Sequence, residues 1–274
     1  MSEITLAAIH TYPIKSCAAL SHCEIQLDSR GPAWDRRFMV IGADGAFLTQ
    51  RQRPALALVR PALESGTLRA AAPGMSELCV PLVRAPGPVV RVEVWGDPCQ
   101  AWDEGEDAAQ WFSDHLRTPA RLVRMADGFE RPVHAPDGQR LGGTGFADAF
   151  PLLVVSQASL AELNRRLAER GRAAVPMSRF RPNLVVDGCA AFAEDTWHTI
   201  RVGSVTLDLV KPCVRCVVTT IDQATARSPE STEPLATLAE FRRQGDGVVF
   251  AWNAQHRAPG WLALGDRVQI LASA

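Results

Sequence analysis

The chain has 274 residues, 47% hydrophobic and 22% charged, the composition of an ordinary soluble globular protein with one large or two small domains. Its formal net charge of −1 gives no general electrostatic case for nucleic acid or a membrane surface. No apolar run reaches about 18 residues, and the opening "MSEITLAAIHTYPIKS" lacks a basic n-region and a long apolar h-region, so neither a membrane span nor a secretory leader is expected.

The first hundred residues read as short strands. "ITLAAIH", "CEIQL", "RRFMVIG", "AFLTQ", "LALVRP" and "VVRVEVW" are apolar or alternating runs. Turn residues separate them at Ser29 to Pro32, Asp44-Gly45, Pro73-Gly74 and Pro86 to Pro88, with Asp44-Gly45 a hairpin signal. Residues 106–116 carry Ala108, Trp111, Phe112 and His115 or Leu116 at helical spacing, and "ARLVRM" follows as a strand. The polar, Gly-rich stretch 127–145 is expected to be a long surface loop.

"FPLLVVS" then reads as a buried strand and "SLAELNRRLAERG" as a helix with Leu160, Leu163 and Leu167 on one face. Ser159 and Glu162 match a capping box, and Gly171 suits the C-terminal end. Strands are expected at "NLVVDG", "HTIRVG", "VTLDLV" and "VVTTID", then a helix at "PLATLAEFRR" and strands at "GVVFAWNAQ" and "DRVQILA". The sum is mostly β with a few helices, an α+β fold of two β-barrel-like parts.

Seven cysteines is an odd number without a disulfide-framework rhythm, so a reducing cytoplasm is the expected compartment. Cys79, Cys99 and Cys189 read as buried small hydrophobes. "KPCVRCVVTT" places Cys213 and Cys216 three positions apart, open to four readings: a redox dithiol, half a zinc site, a ligand for a softer metal, or packed core thiols. A dithiol needs its first thiol at a helix N-terminus, whereas Val217 to Ile221 is a strand pattern. Zinc needs two more ligands, and neither a second Cys-x-x-Cys nor paired histidines exist. Lys211 and Arg215 favour a thiolate, and Cys216, next to Arg215, is the better candidate for a soft metal whose other ligands come from a cofactor.

Cations recur at strand ends. Lys15 and Lys211 are the only lysines, and "YPIKSC", "WDRRFMV", "TQRQRP" and "SRFRPNLVV" add Arg36, Arg37, Arg51, Arg53, Arg179 and Arg181, with Asn183 beside the last. Each of the first three alone reads as a solvated strand end, while "SRFRPNLVV" reads equally as surface decoration or as a guanidinium and carboxamide clamp for a phosphate or a pterin edge. Together they carry enough positive charge to hold a polyanionic small molecule. No dinucleotide fingerprint, P-loop or Gly-x-Ser-x-Gly elbow is present.

"YPIKSC", "WDRRFMVIGADGAFLTQRQRP", "FPLLVVSQASLAELNRRL", "RFRPNLVVDGCAAFAEDTW", "IRVGSVTL" and "PCVRCVVTTID" occur in order, and with them the chain resembles a two-domain MOSC protein, similar to the mitochondrial amidoxime reducing component and its bacterial relatives. The resemblance implies an N-terminal MOSC β-barrel domain over residues 1–125 and a MOSC domain over 126–274. It implies a molybdenum cofactor, with Cys216 as metal ligand and Val214 and Arg215 near the cofactor. Arg181 and Asn183 would contact the pterin and phosphate, and Lys15, Ser16 and Arg36 would close over the same ligand. Asp195 in "AEDTW" is implied near the metal for proton delivery, with Cys213 structural. The chain departs from relatives after Asp148, where Ala149 and Phe150 replace residues that can be hydroxylic.

The activity so implied is reduction of N-hydroxylated compounds, hydroxylamines and amidoximes, to amines or amidines. With no ferredoxin domain after the last strand, electrons are expected from a separate protein: a ferredoxin, a cytochrome b5-like protein or a flavin reductase. The rival reading is a non-catalytic carrier of the cofactor or of sulfur on Cys216. The pyridoxal phosphate chemistry of cofactor sulfurases belongs to another domain, so Lys211 is not assigned to it.

Overall fold

A computed structural model describes residues 3–83, 88–228 and 232–273. The turn expected at Pro86 to Pro88 lies mostly outside the described residues.

The first part of the chain forms β1 (Thr5–Thr11), β2 (Leu20–His22), β3 (Glu24–Asp28), β4 (Gly31–Pro32) and β5 (Phe38–Gly42). After a 3-10 turn at Pro54–Leu58 come β6 (Arg60–Glu64), β7 (Thr67–Ala71), β8 (Leu78–Pro81), β9 (Val89–Val94) and β10 (Asp97–Asp103). Helix α1 (Glu106–Leu116) and β11 (Ala120–Met125) match their predicted bounds. A four-stranded sheet, β5-β11-β10-β9, and a three-stranded one, β6-β7-β8, share one core with α1. Trp111, Phe112 and Leu116 of the helix pack there on Phe38, Leu56 and Leu68, which is why the helical period falls where it does.

The second part holds β12 (Arg131–His134), β13 (Arg140–Thr144), β14 (Leu152–Ser156), α2 (Gln157–Glu169), β15 (Leu184–Asp187), β16 (Trp197–Val202) and β17 (Val205–Val214). It ends with α3 (Leu235–Phe241), β18 (Arg243–Gln244), β19 (Gly247–His256), β20 (Gly260–Ala263) and β21 (Val268–Ser273). The main sheet runs β2-β1-β15-β14-β19-β17-β16-β21. Leu6 N donates to Asp266 O at 2.9 Å and Val268 N to Ile4 O at 2.8 Å, so the β21 end returns to β1 and closes a barrel. Among the described strand pairs only β14 and β15 run parallel, and α2 supplies the crossover that a parallel pair requires. Leu6, Ile9, Val154, Leu184, Trp197 and Leu207 fill the interior. β1 and β3, from the start of the chain, thus pair with β15 and β20 near its end.

The mostly-β, two-part architecture expected from the sequence is the one observed, with local corrections. Residues 127–145 are a hairpin and not a loop: Arg131 and Val133 point inward, Pro132 and His134 outward, and Gly138 turns the chain at φ 89°. Residues 217–220 form a 3-10 turn instead of a strand, because the Thr219 and Thr220 hydroxyls donate back to the carbonyls of Cys216 and Val217. The expected strand at Leu56 to Pro61 begins only at Arg60, since Pro54 opens a 3-10 turn. Ala46 to Gln50 contributes a single bridge, Ile41 to Phe47. Helix α2 is capped by Ser156, whose Oγ accepts from Ser159 N at 3.0 Å, while the Ser159 hydroxyl donates to buried Glu194. Cys79 is exposed and Cys189 half-buried; of the three cysteines read as core residues, Cys99 is buried. Among the described residues, no helix is long and apolar enough to cross a membrane.

Candidate functional site

Between the two parts lies a cavity of about 390 Å³. Lys15, Ser16, Arg36, Arg181, Asn183, Val214, Arg215 and Cys216 all line it. They come from four places far apart in sequence: the turn after β1, the loop before β5, the segment entering β15, and the end of β17 with the residues leading into the 3-10 turn beyond it. Ser16, Arg36 and Arg181 have left-handed backbones, with φ of 67°, 45° and 56°. Such strain in non-glycine residues costs on the order of 1–3 kcal/mol each and gathers where function requires it.

The arginines are held by an aromatic clamp. The Arg36 and Arg181 guanidinium carbons each sit 4.2 Å from the Tyr12 ring centre. Tyr12 donates its hydroxyl to Pro182 O at 3.0 Å, and burial pushes its phenol up to about 12. Arg36 Nη1 also donates to Asp35 Oδ2 at 2.6 Å and Asn183 Oδ1 at 3.1 Å, and Arg181 Nη1 to Cys17 O at 2.7 Å. The Asn183 carboxamide is fully occupied within the protein, so it acts on the cavity by orienting Arg36.

Lys15 is 4% exposed. Its ammonium donates to Phe146 O at 2.8 Å and pairs with Asp148. Burial lowers the lysine's proton affinity. Burial also opposes ionisation of Asp148, but Lys15 and the Trp95 indole N–H, which donates to Oδ1 at 3.0 Å, outweigh it and hold that carboxyl well below the usual range.

Each thiol faces a guanidinium. Arg51 Nη2 lies 3.1 Å from Cys216 Sγ, and Arg215 Nη1 lies 2.9 Å from Cys213 Sγ. Behind them, Arg179 donates to Thr220 O at 2.7 Å and Asp222 Oδ2 at 3.1 Å, fixing the turn that carries Cys216. The four-residue turn is 3-10, so the helix-end environment that a reactive dithiol requires is absent from the described residues there.

Asp195 is not part of this lining. Its carboxylate accepts from Arg242 Nη1 and Nη2 at 2.5 and 2.9 Å and from Trp252 Nε1 at 2.8 Å, which spends it on the fold. Sequence reasoning missed Gln50 and Trp95, which line the cavity from other loops. Gln50 and Gln223 exchange amide hydrogen bonds at 3.0 and 2.9 Å, joining the two parts of the chain at the cavity wall.

Six cations (Lys15, Arg36, Arg51, Arg181, Lys211 and Arg215) surround the space against one carboxylate, Asp148. Among the described residues, no group of three or more His, Cys, Asp or Glu could hold a metal ion. A metal bound here must therefore bring its own chelator, and the donor set is a soft sulfur plus a cradle for anionic oxygen. Among the described residues, the buried Arg215 Nε has no hydrogen-bond partner. These residues fit a cofactor that pairs a chelated soft metal with a phosphate.

Comparison with known proteins follows the same division. Residues 3–119 match the MOSC N-terminal beta barrel domain and residues 142–269 the MOSC domain. The chain is 36% identical to mitochondrial amidoxime-reducing component 1 of Mus musculus, over 97% of this chain and 82% of that one. It is 33% identical to the Homo sapiens protein of the same name, over 97% and 83%. It is 30% identical to the molybdenum cofactor sulfurase of Oryza sativa over 91% of this chain, which spans 32% of that protein.

Proposed function

This chain belongs to the MOSC family, and from that premise we propose that it is a molybdenum-cofactor-dependent reductase of N-hydroxylated compounds. Its substrates are hydroxylamines and amidoximes, its products amines and amidines, and its electrons come from a separate redox protein. The observation that carries this reading is the Cys216 thiol, set against Arg51 at 3.1 Å in a basic cavity lined by both parts of the chain. The names of the relatives at 33–36% identity support the reductive chemistry.

When bound, the cofactor supplies a metal centre that accepts an oxygen atom and passes electrons. The chain's own residues do the rest. Cys216 Sγ would be the protein ligand to the metal, with the Arg51 guanidinium 3.1 Å away. Arg36, Arg181 and Arg215 hold the anionic and pterin parts. Reduction of N–OH to N–H and water consumes two electrons and two protons. Lys15 Nζ, a buried ammonium with lowered proton affinity on the cavity wall, holds a proton for that purpose. Asp195, expected for this task, is committed to Arg242 and Trp252.

A second reading, a carrier of cofactor or sulfur on Cys216, draws on the likeness to the sulfurase. Purified protein from a cofactor-competent host decides between them. A reductase holds about one molybdenum per chain and turns over benzamidoxime with an artificial electron donor. C216S and C216A then lose turnover while keeping the native melting temperature. Full activity of either variant refutes the reading, and near-zero molybdenum in the wild type favours the carrier.

A further inference from the structure

β9 and β10 pair Val94 with Asp97, leaving Trp95 and Gly96 as a two-residue hairpin turn with φ of 54° and 93°. A turn with both residues left-handed favours Asn-Gly or Asp-Gly. The equivalent turn between β6 and β7 uses Ser65 and Gly66. Putting tryptophan in the first slot costs roughly 1–2 kcal/mol of local strain. The indole is nevertheless 54% exposed and lines the cavity. Neither the hairpin nor the core demands it there.

The neighbours of the indole give the position a purpose. Phe47 meets it edge-on at 4.9 Å, and Nε1 donates to Asp148 at 3.0 Å, so its plane is fixed. The Arg51 guanidinium carbon lies 5.0 Å from the ring centre, and its Nη2 reaches Cys216 Sγ at 3.1 Å. Indole and sulfur are therefore no more than about 10 Å apart, given ordinary C–N bond lengths. That limit leaves room for no more than a single aromatic ring bearing one N–OH group. The exposed Val214, 62% accessible, lines the same cavity and adds an apolar surface beside the cations.

We infer that Trp95 is the specificity-determining residue of the site: it packs against the ring of a planar aromatic N-hydroxylated substrate and turns the N–O end toward Cys216. The inference rests on the reductase reading for its substrate class. It adds a preference for aromatic over aliphatic compounds that the cation cradle alone does not provide.

The test uses cofactor-loaded protein and measures Kd by calorimetry and kcat and KM for benzamidoxime and acetamidoxime. Trp95→Asn removes the ring and installs a residue the turn favours, so its melting temperature should not fall below that of the wild type. Its benzamidoxime Kd and KM should rise about tenfold relative to acetamidoxime, the scale of one aromatic contact, with the change in KM and not kcat. Trp95→Phe should keep most of the preference and Trp95→Leu lose it, which separates ring from bulk should the Asn variant fold poorly. Equal benzamidoxime affinity in wild type, Asn and Leu variants overturns the inference and leaves the reductase reading standing. Trp95-dependent binding with no turnover of either compound by loaded, electron-supplied wild type overturns the reductase reading and leaves the platform standing. Absence of benzamidoxime binding overturns the platform outright.

Discussion

Replacing Asn183 by leucine tests whether one carboxamide holds the cavity wall together. Oδ1 accepts from Leu153 N at 3.2 Å and Arg36 Nη1 at 3.1 Å, and Nδ2 donates to His10 O at 3.1 Å and Asp35 Oδ1 at 3.2 Å. The residue is 1% exposed, so water cannot replace these partners. Each buried group left unpaired costs about 1–3 kcal/mol. Asp35 is partly compensated, since it keeps Tyr12 N at 2.8 Å and Arg36. The expected loss is therefore roughly 2–4 kcal/mol, a large part of the ~5–15 kcal/mol that natural domains possess. In urea, with a slope of about 3 kcal/mol per molar for a chain of this size, the midpoint should fall by about 1 M. Asn183→Asp keeps both acceptor bonds but faces Asp35 with a second carboxylate. It should be as unstable at neutral pH and recover as acid protonates it. A leucine variant unfolding within about 0.2 M of the wild type would refute the argument.

Two further substitutions test carboxylates, one on the cavity wall and one away from it. Asp148 has a native-state proton affinity below the ordinary carboxylate range, so its contribution is whole above about pH 4 and fades as pH falls below that value. The melting-temperature gap between wild type and Asp148→Asn should be flat from pH 7 to 5 and shrink in stronger acid; a gap that widens there contradicts the Lys15 pairing. Asp195→Asn retains an acceptor for Trp252 but loses its charge opposite Arg242. A cost of about 1–2 kcal/mol should lower the melting temperature by about 3–6 °C, and kcat/KM should stay within about threefold. A loss of turnover without loss of stability would return Asp195 to the chemistry.

Much of this was legible because local and global preferences agree. The period of Trp111, Phe112 and Leu116 delimits α1, and Gly171, at φ 65°, ends α2 as its place after a Leu-periodic run implies. The cationic lining was legible too, since the motifs that carry Lys15, Arg36, Arg181 and Lys211 stand out in a lysine-poor chain. The turn after Cys216 was not legible, because β-branched residues signal a strand until the two threonine hydroxyls bond backward. Strand β10 escaped notice because much of it is exposed, and with it went the turn that presents Trp95. Asp195 misled for a different reason: the partners that neutralise its role, Arg242 and Trp252, lie 47 and 57 residues further on.

The pairing of β1 with β15 bears on how the molecule is made. Thr5 is matched with Asp187, so the first strand waits for about 180 residues of synthesis before its neighbour exists, a separation that slows closure. Lys15 and Ser16 sit just past that strand, and their place opposite Cys216 is settled only once the barrel shuts. A nascent chain lacking its final third therefore has no closed cavity, and the six cations around it meet only after the last strands have been made.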